Sequence, residues 1–171
     1  SIAAYVLASS EPNNVRSNEA GMKYFIMGAF ASSFILFGIA LIYGSVGSFD
    51  IVTISSVSLS QVATLPIWFY MGFVMIAVGM MFKASIVPFH FWAPDVYEGS
   101  PTLVTTIMST LVKVAAIGTL FKIFQILAVG ITPTFQIALI VLSILTMCVG
   151  NITAMKQTNI KRMMAYSGIS H

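Results

Sequence analysis

Residues 65–92 read LPIWFYMGFVMIAVGMMFKASIVPFHFW, and this stretch decides the fold. From Leu65 to Phe82 eighteen consecutive residues carry no charge, close to the roughly 20 apolar residues that cross a bilayer as a helix. The run then continues through Lys83 and Pro88 to Trp92. A continuous helix over these 28 residues would be about 42 Å long. A hydrocarbon core is roughly 30 Å thick, so the helix must tilt strongly or break. Pro88 supplies a break: its ring lacks an N–H and clashes with the carbonyl four residues earlier, that of Ala84. The expectation is an interruption between Lys83 and Phe91 with backbone carbonyls freed beside Lys83. Such carbonyls survive at membrane depth only where they line a protein-buried or watered cavity.

The rest of the chain has the same character. Of 171 residues 58% are hydrophobic and 8% charged, where soluble domains average about 25% charged. The apolar residues fall into helix-length runs and do not alternate as in a barrel. The expected fold is an all-α integral membrane bundle, a single membrane domain over 1–171 with spans at 1–9 (partial), 20–43, 65–92 (broken), 103–127, 134–155 and 163–171 (opening). Turn residues agree with this division: Glu11, Pro12, Asn13 and Asn14; Gly44 to Gly47; Gly99, Ser100 and Pro101; and Pro133. The Ser-rich stretch 49–64 reads as an extended or short amphipathic connection at the interface. The chain opens on Ser1 with no charged segment before an apolar core, which speaks against a signal peptide. It looks cut at both ends.

Charge and cysteine usage exclude several function classes. A net charge of +3, scattered over loops and helices, forms no stripe for nucleic acid. Cys148 is the single cysteine; it rules out disulfides and multi-cysteine metal sites and reads as a small core residue. If spans alternate in direction, loops 10–19, 93–101 and 156–162 share one side. That side holds Arg16, Lys23, Lys156, Lys161 and Arg162, while the side of loops 44–64 and 128–133 has only Lys122 nearby. The positive-inside rule makes the first side cytoplasmic.

Two lysines carry the chemistry. Lys83 follows the long apolar run, and Lys113 is the eleventh residue of the span that starts at Leu103. A charged lysine at a helix centre costs about 2.5–3.5 kcal/mol, so such residues face a bundle interior, find a partner and mark an ion or proton path. Withdrawal from water also makes neutralisation easier, which lets a lysine exchange a proton. No Asp or Glu lies within these spans, so a carboxylate partner for Lys83 has to come from elsewhere. His90 is equally suited to relay protons or to make a structural hydrogen bond at the break. Asp95 and Glu98 read as solvated or capping groups, Lys122 as a snorkelling side chain, and Met71, Met75, Met80 and Met81 as packing.

Three stretches carry a resemblance: FKASIVPFHFWAPDVYEGSP at 82–101, RSNEAGMKYF at 16–25 and QTNIKRMMAYSGISH at 157–171. They resemble the antiporter-like, proton-translocating membrane subunits of respiratory complex I, and the N type above its larger relatives. The resemblance extends over essentially the whole chain. It implies a piece of a fourteen-helix subunit, from the latter part of helix 5 to the start of helix 10, built from two inverted five-helix repeats. It implies that Lys83 is the lysine of the broken helix 7 and Lys113 the helix-8 lysine linking two half-channels. Their glutamate partner would precede Ser1 and the second half-channel would follow His171. The implied role is a non-redox subunit of NADH:quinone oxidoreductase in the bacterial inner membrane. Its partners would be neighbouring antiporter-like and other membrane subunits and the lipid bilayer, and no cofactor would sit in this chain; FMN and iron–sulfur clusters would lie in partner subunits. The competing readings are a cation/proton antiporter or hydrogenase-type subunit of the same fold, and a purely structural scaffold.

Overall fold

The computed structural model of the protein describes residues 2–60, 64–127 and 133–171, with side chains omitted at 126, 127 and 133–135. Ser1, residues 61–63 of the expected connection and most of the expected loop 128–133 lie outside the described residues. Among the described residues every regular element is helical: α1 (Ile2–Ala8), α2 (Val15–Val46), α3 (Ile51–Ser60), α4 (Ile67–Ala84), α5 (Trp92–Gly99), α6 (Thr102–Ile107), α7 (Lys113–Leu127), α8 (Pro133–Met155) and α9 (Ile160–Ser170). A π-turn, Met108–Val112, joins α6 to α7 without a loop. Four segments are long and apolar enough to cross a membrane: Val15–Val46, Ile67–Ala84, Thr102–Gln125 and Gln136–Met155.

Local chemistry sets the ends. The α2 helix begins five residues before its apolar run because Asn14 caps it, its side chain accepting the Arg16 N–H at 3.1 Å. Its 32 residues make a rod about 48 Å long. The first turns, with Arg16, Glu19 and Lys23, therefore project beyond a hydrocarbon core. The connection after α2 is helical where it is described: Asp50 caps α3 by accepting from the N–H and hydroxyl of Thr53 at 3.1 and 2.8 Å. At the C-terminal end of α2, Gly47 takes φ 74, and its N–H returns to the Tyr43 carbonyl at 2.7 Å.

The α2 and α4 helices form the most extensive pair, and small residues let them close. A Cβ at Gly38 would lie 2.6 Å from the carbonyl oxygen of Gly72, and one at Gly72 2.8 Å from that of Gly38. Backbone meets backbone at this crossing, as in small-residue helix contacts within membranes. An aliphatic and aromatic cluster joins Phe69, Phe73, Ile76 and Met80 to Ala116 and Leu120 of α7. A second cluster gathers Tyr5, Tyr24, Trp92 and Tyr97 with Met108 and Ile169. The α5 helix packs on both α2 and α9. Large apolar side chains such as Phe30, Leu36, Val114, Phe121 and Ile140 point outward, as lipid-facing residues do. Cys148 is exposed with them, on the outer face of α8, which corrects the expectation of a core position.

Candidate functional site

The α4 helix ends at Ala84, four residues before Pro88. Ser85 adopts the left-handed conformation at φ 61. Its N–H reaches the Phe82 carbonyl at 3.1 Å, and the Ile86 N–H reaches that of Met81 at 2.9 Å. These two bonds close the helix as a Schellman motif. The indole N–H of Trp92 adds a third, to Phe82 at 2.9 Å. The break therefore lies where the sequence placed it, between Lys83 and Phe91, but the carbonyls of Met81 and Phe82 beside Lys83 are occupied. The proline is met by a chain that has already left the helix. Residues 85–91 run as turns, with a cis peptide between Val87 and Pro88 and a bond from Phe89 N–H to the Ile86 carbonyl at 2.7 Å.

Lys83, in the last turn of α4, lines a chamber of about 90 Å³ walled by Tyr5, Tyr24, Phe82, Trp92 and Val112. Tyr24 stacks on Trp92 with centroids 4.9 Å apart and meets Tyr5 edge-on at 4.7 Å. The Tyr5 hydroxyl lodges against Gly28, where an added Cβ would come within 2.6 Å of its ring carbon Cζ.

Lys113 directly follows the π-turn. The wider turn shifts the register of the helix surface at this point, and such turns recur at functional positions. The side chain is buried, only 9% exposed, and its ammonium donates to the backbone carbonyl of Gly168 in α9. It lines a second chamber, about 250 Å³, with Met81, Ala84, Ile86, Thr146 and Gly168 among its walls. Val112 lines the first chamber and the next residue, Lys113, the second. Thr146 of α8 accepts the Val87 N–H at 3.2 Å and donates to the Leu142 carbonyl at 2.7 Å, tying the break to the second chamber. His90 lines neither chamber; its ring packs on Phe91 at 4.8 Å and stands 6.4 Å from Tyr166.

A charged cluster joins the three segments that the alternating topology puts on one side. Lys23 pairs with Glu19 at 2.7 Å and Asp95 at 3.1 Å, and Arg162 pairs with Asp95 and Glu98, both at 2.8 Å. Asn159 donates to Glu98 at 3.0 Å and Lys161 to the Ser100 carbonyl at 2.9 Å. Arg16, Glu19, Lys23, Asp95, Glu98 and Arg162 border an open hollow of about 300 Å³. Burial pushes the Asp95 carboxyl up, but Lys23 and then Arg162 outweigh it and hold the group below the usual carboxylate range. Arg162 holds its proton more tightly than a free guanidinium, chiefly through Glu98 and despite partial burial. Asp95 and Glu98 are thus not merely solvated or capping groups; they link α2, α5 and α9. Lys122 is exposed, as expected, in a hollow against α3. Among the described residues no three His, Cys, Asp or Glu side chains gather as metal ligands.

The break lies where the sequence placed it, and the two lysines the sequence singled out each line a chamber. Sequence reasoning missed Thr146, the Gly168 carbonyl and the Tyr5–Tyr24–Trp92 wall, because each comes from an element remote in the chain. The cluster had a partial signal in the charges flanking Pro94 and Pro101, but their partners on α2 and α9 needed the fold.

The family NADH:quinone oxidoreductase/Mrp antiporter, TM, matches the chain over residues 1–171. The chain belongs to this family. Its similar relatives include NADH-quinone oxidoreductase subunit N of Flavobacterium johnsoniae, 57% identical over 100% of this chain and 38% of that protein. The subunit N of Flavobacterium psychrophilum is 53% identical over 100% of this chain and 37% of that one. The chain thus spans little more than a third of the length of these curated relatives. Among solved structures it resembles a chain of respiratory complex I from Thermus thermophilus with bound aureothin, at 39% identity and TM-score 0.76, covering 98% of this chain and 35% of that one. A chain of the Mrp complex from Dietzia sp. DQ12-45-1b matches at 23% identity and TM-score 0.86 over 98% of this chain and 31% of that one, a likeness of fold. The antiporter-like membrane fold is that of this family.

Proposed function

We propose that this chain is part of a proton-translocating membrane subunit of an NADH:quinone oxidoreductase in the bacterial inner membrane, forming one membrane domain over 1–171. Protons pass between Lys83 and Lys113, and the redox chemistry, on FMN and iron–sulfur clusters, belongs to partner subunits. The chain itself works as a non-redox member of the enzyme and binds neighbouring antiporter-like and other membrane subunits. The similarity to subunit N supports the assembly, and Lys113 carries the mechanism. Its ammonium is buried about halfway along the Thr102–Gln125 span, held by a backbone carbonyl. Among the described ion pairs no carboxylate reaches it. A buried amine at mid-span, held by a backbone dipole, marks an ion or proton path. Lys83, in its own chamber beside Val112, is the preceding carrier. His90 lines neither chamber, so its place in the path rests only on its position in the break.

The test compares Lys83→Ala, Lys113→Ala and the two Lys→Arg variants in the reconstituted complex, following quinone reduction and proton transfer together. Arginine keeps the charge but does not release its proton in this range. The Lys→Arg variants are expected to fail almost as badly as Lys→Ala, and full pumping by Lys113→Arg would refute proton transfer by that side chain.

A further inference from the structure

Gly168 weakens α9 without any need of the backbone there. It sits inside the helix Ile160–Ser170 and takes no positive φ, and alanine supports a helix interior better than glycine does. The reason for a glycine lies in what faces it. Among the described residues, a Cβ built at Gly168 would meet Lys113 alone within 4 Å, its Nζ at 3.0 Å and its Cε at 4.0 Å. The carbonyl of the same glycine accepts the Lys113 ammonium. The space that a side chain at 168 would fill is thus taken by the head of the lysine.

The α9 helix is held on both sides of this contact. Near its start Arg162 pairs with Asp95 and Glu98 of α5, both at 2.8 Å. At its end Ser170 lies so close to α8 that a Cβ at Gly150 would stand 2.8 Å from the Ser170 backbone nitrogen. The carbonyl of Gly168 therefore keeps its place, and the lysine comes to it. The lysine is the movable partner: its ammonium rides on a flexible four-carbon stem and borders a chamber of about 250 Å³, so it has somewhere to go when pushed.

We infer that Gly168 is the positioning residue of Lys113: its bare Cα admits the ammonium to the carbonyl, and a side chain at 168 turns the ammonium away into the chamber. This inference rests on the proton-carrying role proposed for Lys113. Gly168 exchanges no proton itself. It gives the ammonium one fixed station, and proton transfer depends steeply on such placement. Once displaced, the ammonium has no carboxylate among the described ion pairs to hold it elsewhere.

Gly168→Ala is the decisive variant, because it adds only the Cβ. It is measured in the reconstituted complex for proton transfer per quinone reduced across pH, and for thermal stability, beside Gly118→Ala, Gly150→Ala and Lys113→Ala. Gly118 of α7 has open space at its Cβ position, so Gly118→Ala reports helix propensity alone. Gly150→Ala reports overpacking between α8 and α9. Gly168→Ala is expected to be at least as stable as wild type, since alanine favours the helix and the atom in its way ends a flexible side chain. Its proton transfer is expected to slow at least about tenfold, a fraction of the roughly hundredfold that a 1 Å misplacement costs, with a pH profile displaced from that of wild type. Wild-type proton transfer and pH profile in Gly168→Ala, with Lys113→Ala impaired, overturn the positioning role. A loss of proton transfer that comes with a stability loss as large as that of Gly150→Ala overturns it too, because it marks a packing defect. Wild-type pumping by Lys113→Ala would instead overturn the lysine path on which the inference depends.

Discussion

Trp92 donates its indole N–H to the carbonyl of Phe82, ten positions earlier, at 2.9 Å across the helix break. Their rings also lie nearly parallel, 6.1 Å apart. The bond ties the first residue of α5 to the turn of α4 that carries Lys83, so the angle between the two half-helices is fixed beside the lysine. Trp92→Phe keeps much of the aromatic surface and removes the N–H. Losing a hydrogen bond at a buried tryptophan costs about 1–3 kcal/mol. We expect a lowered midpoint of thermal unfolding for the full-length protein and faster hydrogen exchange at residues 85–91. Exchange unchanged in that segment would show that the break is held by other contacts.

The break was legible in advance because its causes are local: an apolar run too long for one straight span, and a proline inside it. Its exact start was not. Helix ends of this kind are usually announced by glycine or asparagine, and Ser85 gives no such signal. The π-turn before Lys113 left no trace either, since Met108–Val112 is as apolar and helix-compatible as its flanks. The early start of α2 was written in Asn14, but judging spans by apolar runs passes over a polar cap. The Lys113–Gly168 and Val87–Thr146 contacts lie 55 and 59 residues apart, and no pattern within a helix predicts them.

The close approach of α2 and α4 predicts sensitivity at two glycines. Gly72→Ala would drive a methyl to about 2.8 Å from the Gly38 carbonyl, a backbone atom that cannot rotate away. Overpacking of this kind costs about 1–3 kcal/mol, so Gly72→Ala and Gly38→Ala should each lower the unfolding midpoint. Gly44→Ala, with open space around its Cβ position, is the matched control. Equal stability of all three variants would contradict the backbone contact.

The charged cluster predicts an acid limb. The folded-state carboxyl of Asp95 lies below its ordinary value, so its contribution is fully present above about pH 3.9. It fades as the pH falls below that, through the depressed folded value. Its partners are about a third exposed, so the contribution is small, about 1 kcal/mol or less, and weakens with salt. Asp95→Asn should lower stability at neutral pH and low salt, and the gap to wild type should narrow both in strong acid and at high ionic strength. A gap independent of both variables would mean that Asp95 acts through packing and not through charge.

Thr146 predicts a link between α8 and the break. Its hydroxyl accepts the Val87 N–H at 3.2 Å and donates to the Leu142 carbonyl at 2.7 Å. Both Thr146 and Val87 are buried, so water cannot readily replace the hydroxyl. Thr146→Val preserves the shape of the side chain and leaves the Val87 N–H unpaired, a cost of about 1–3 kcal/mol. The same change removes a polar group from the wall of the Lys113 chamber. We therefore expect Thr146→Val to lower the unfolding midpoint and to slow proton transfer, whereas Thr146→Ser, which keeps the hydroxyl and loses only a methyl, recovers most of both. The two losses separate if the hydroxyl only holds the break in place: stability then falls in Thr146→Val while proton transfer per quinone reduced stays at the wild-type value. Identical behaviour of Thr146→Val and wild type in both measurements would dismiss the contact altogether.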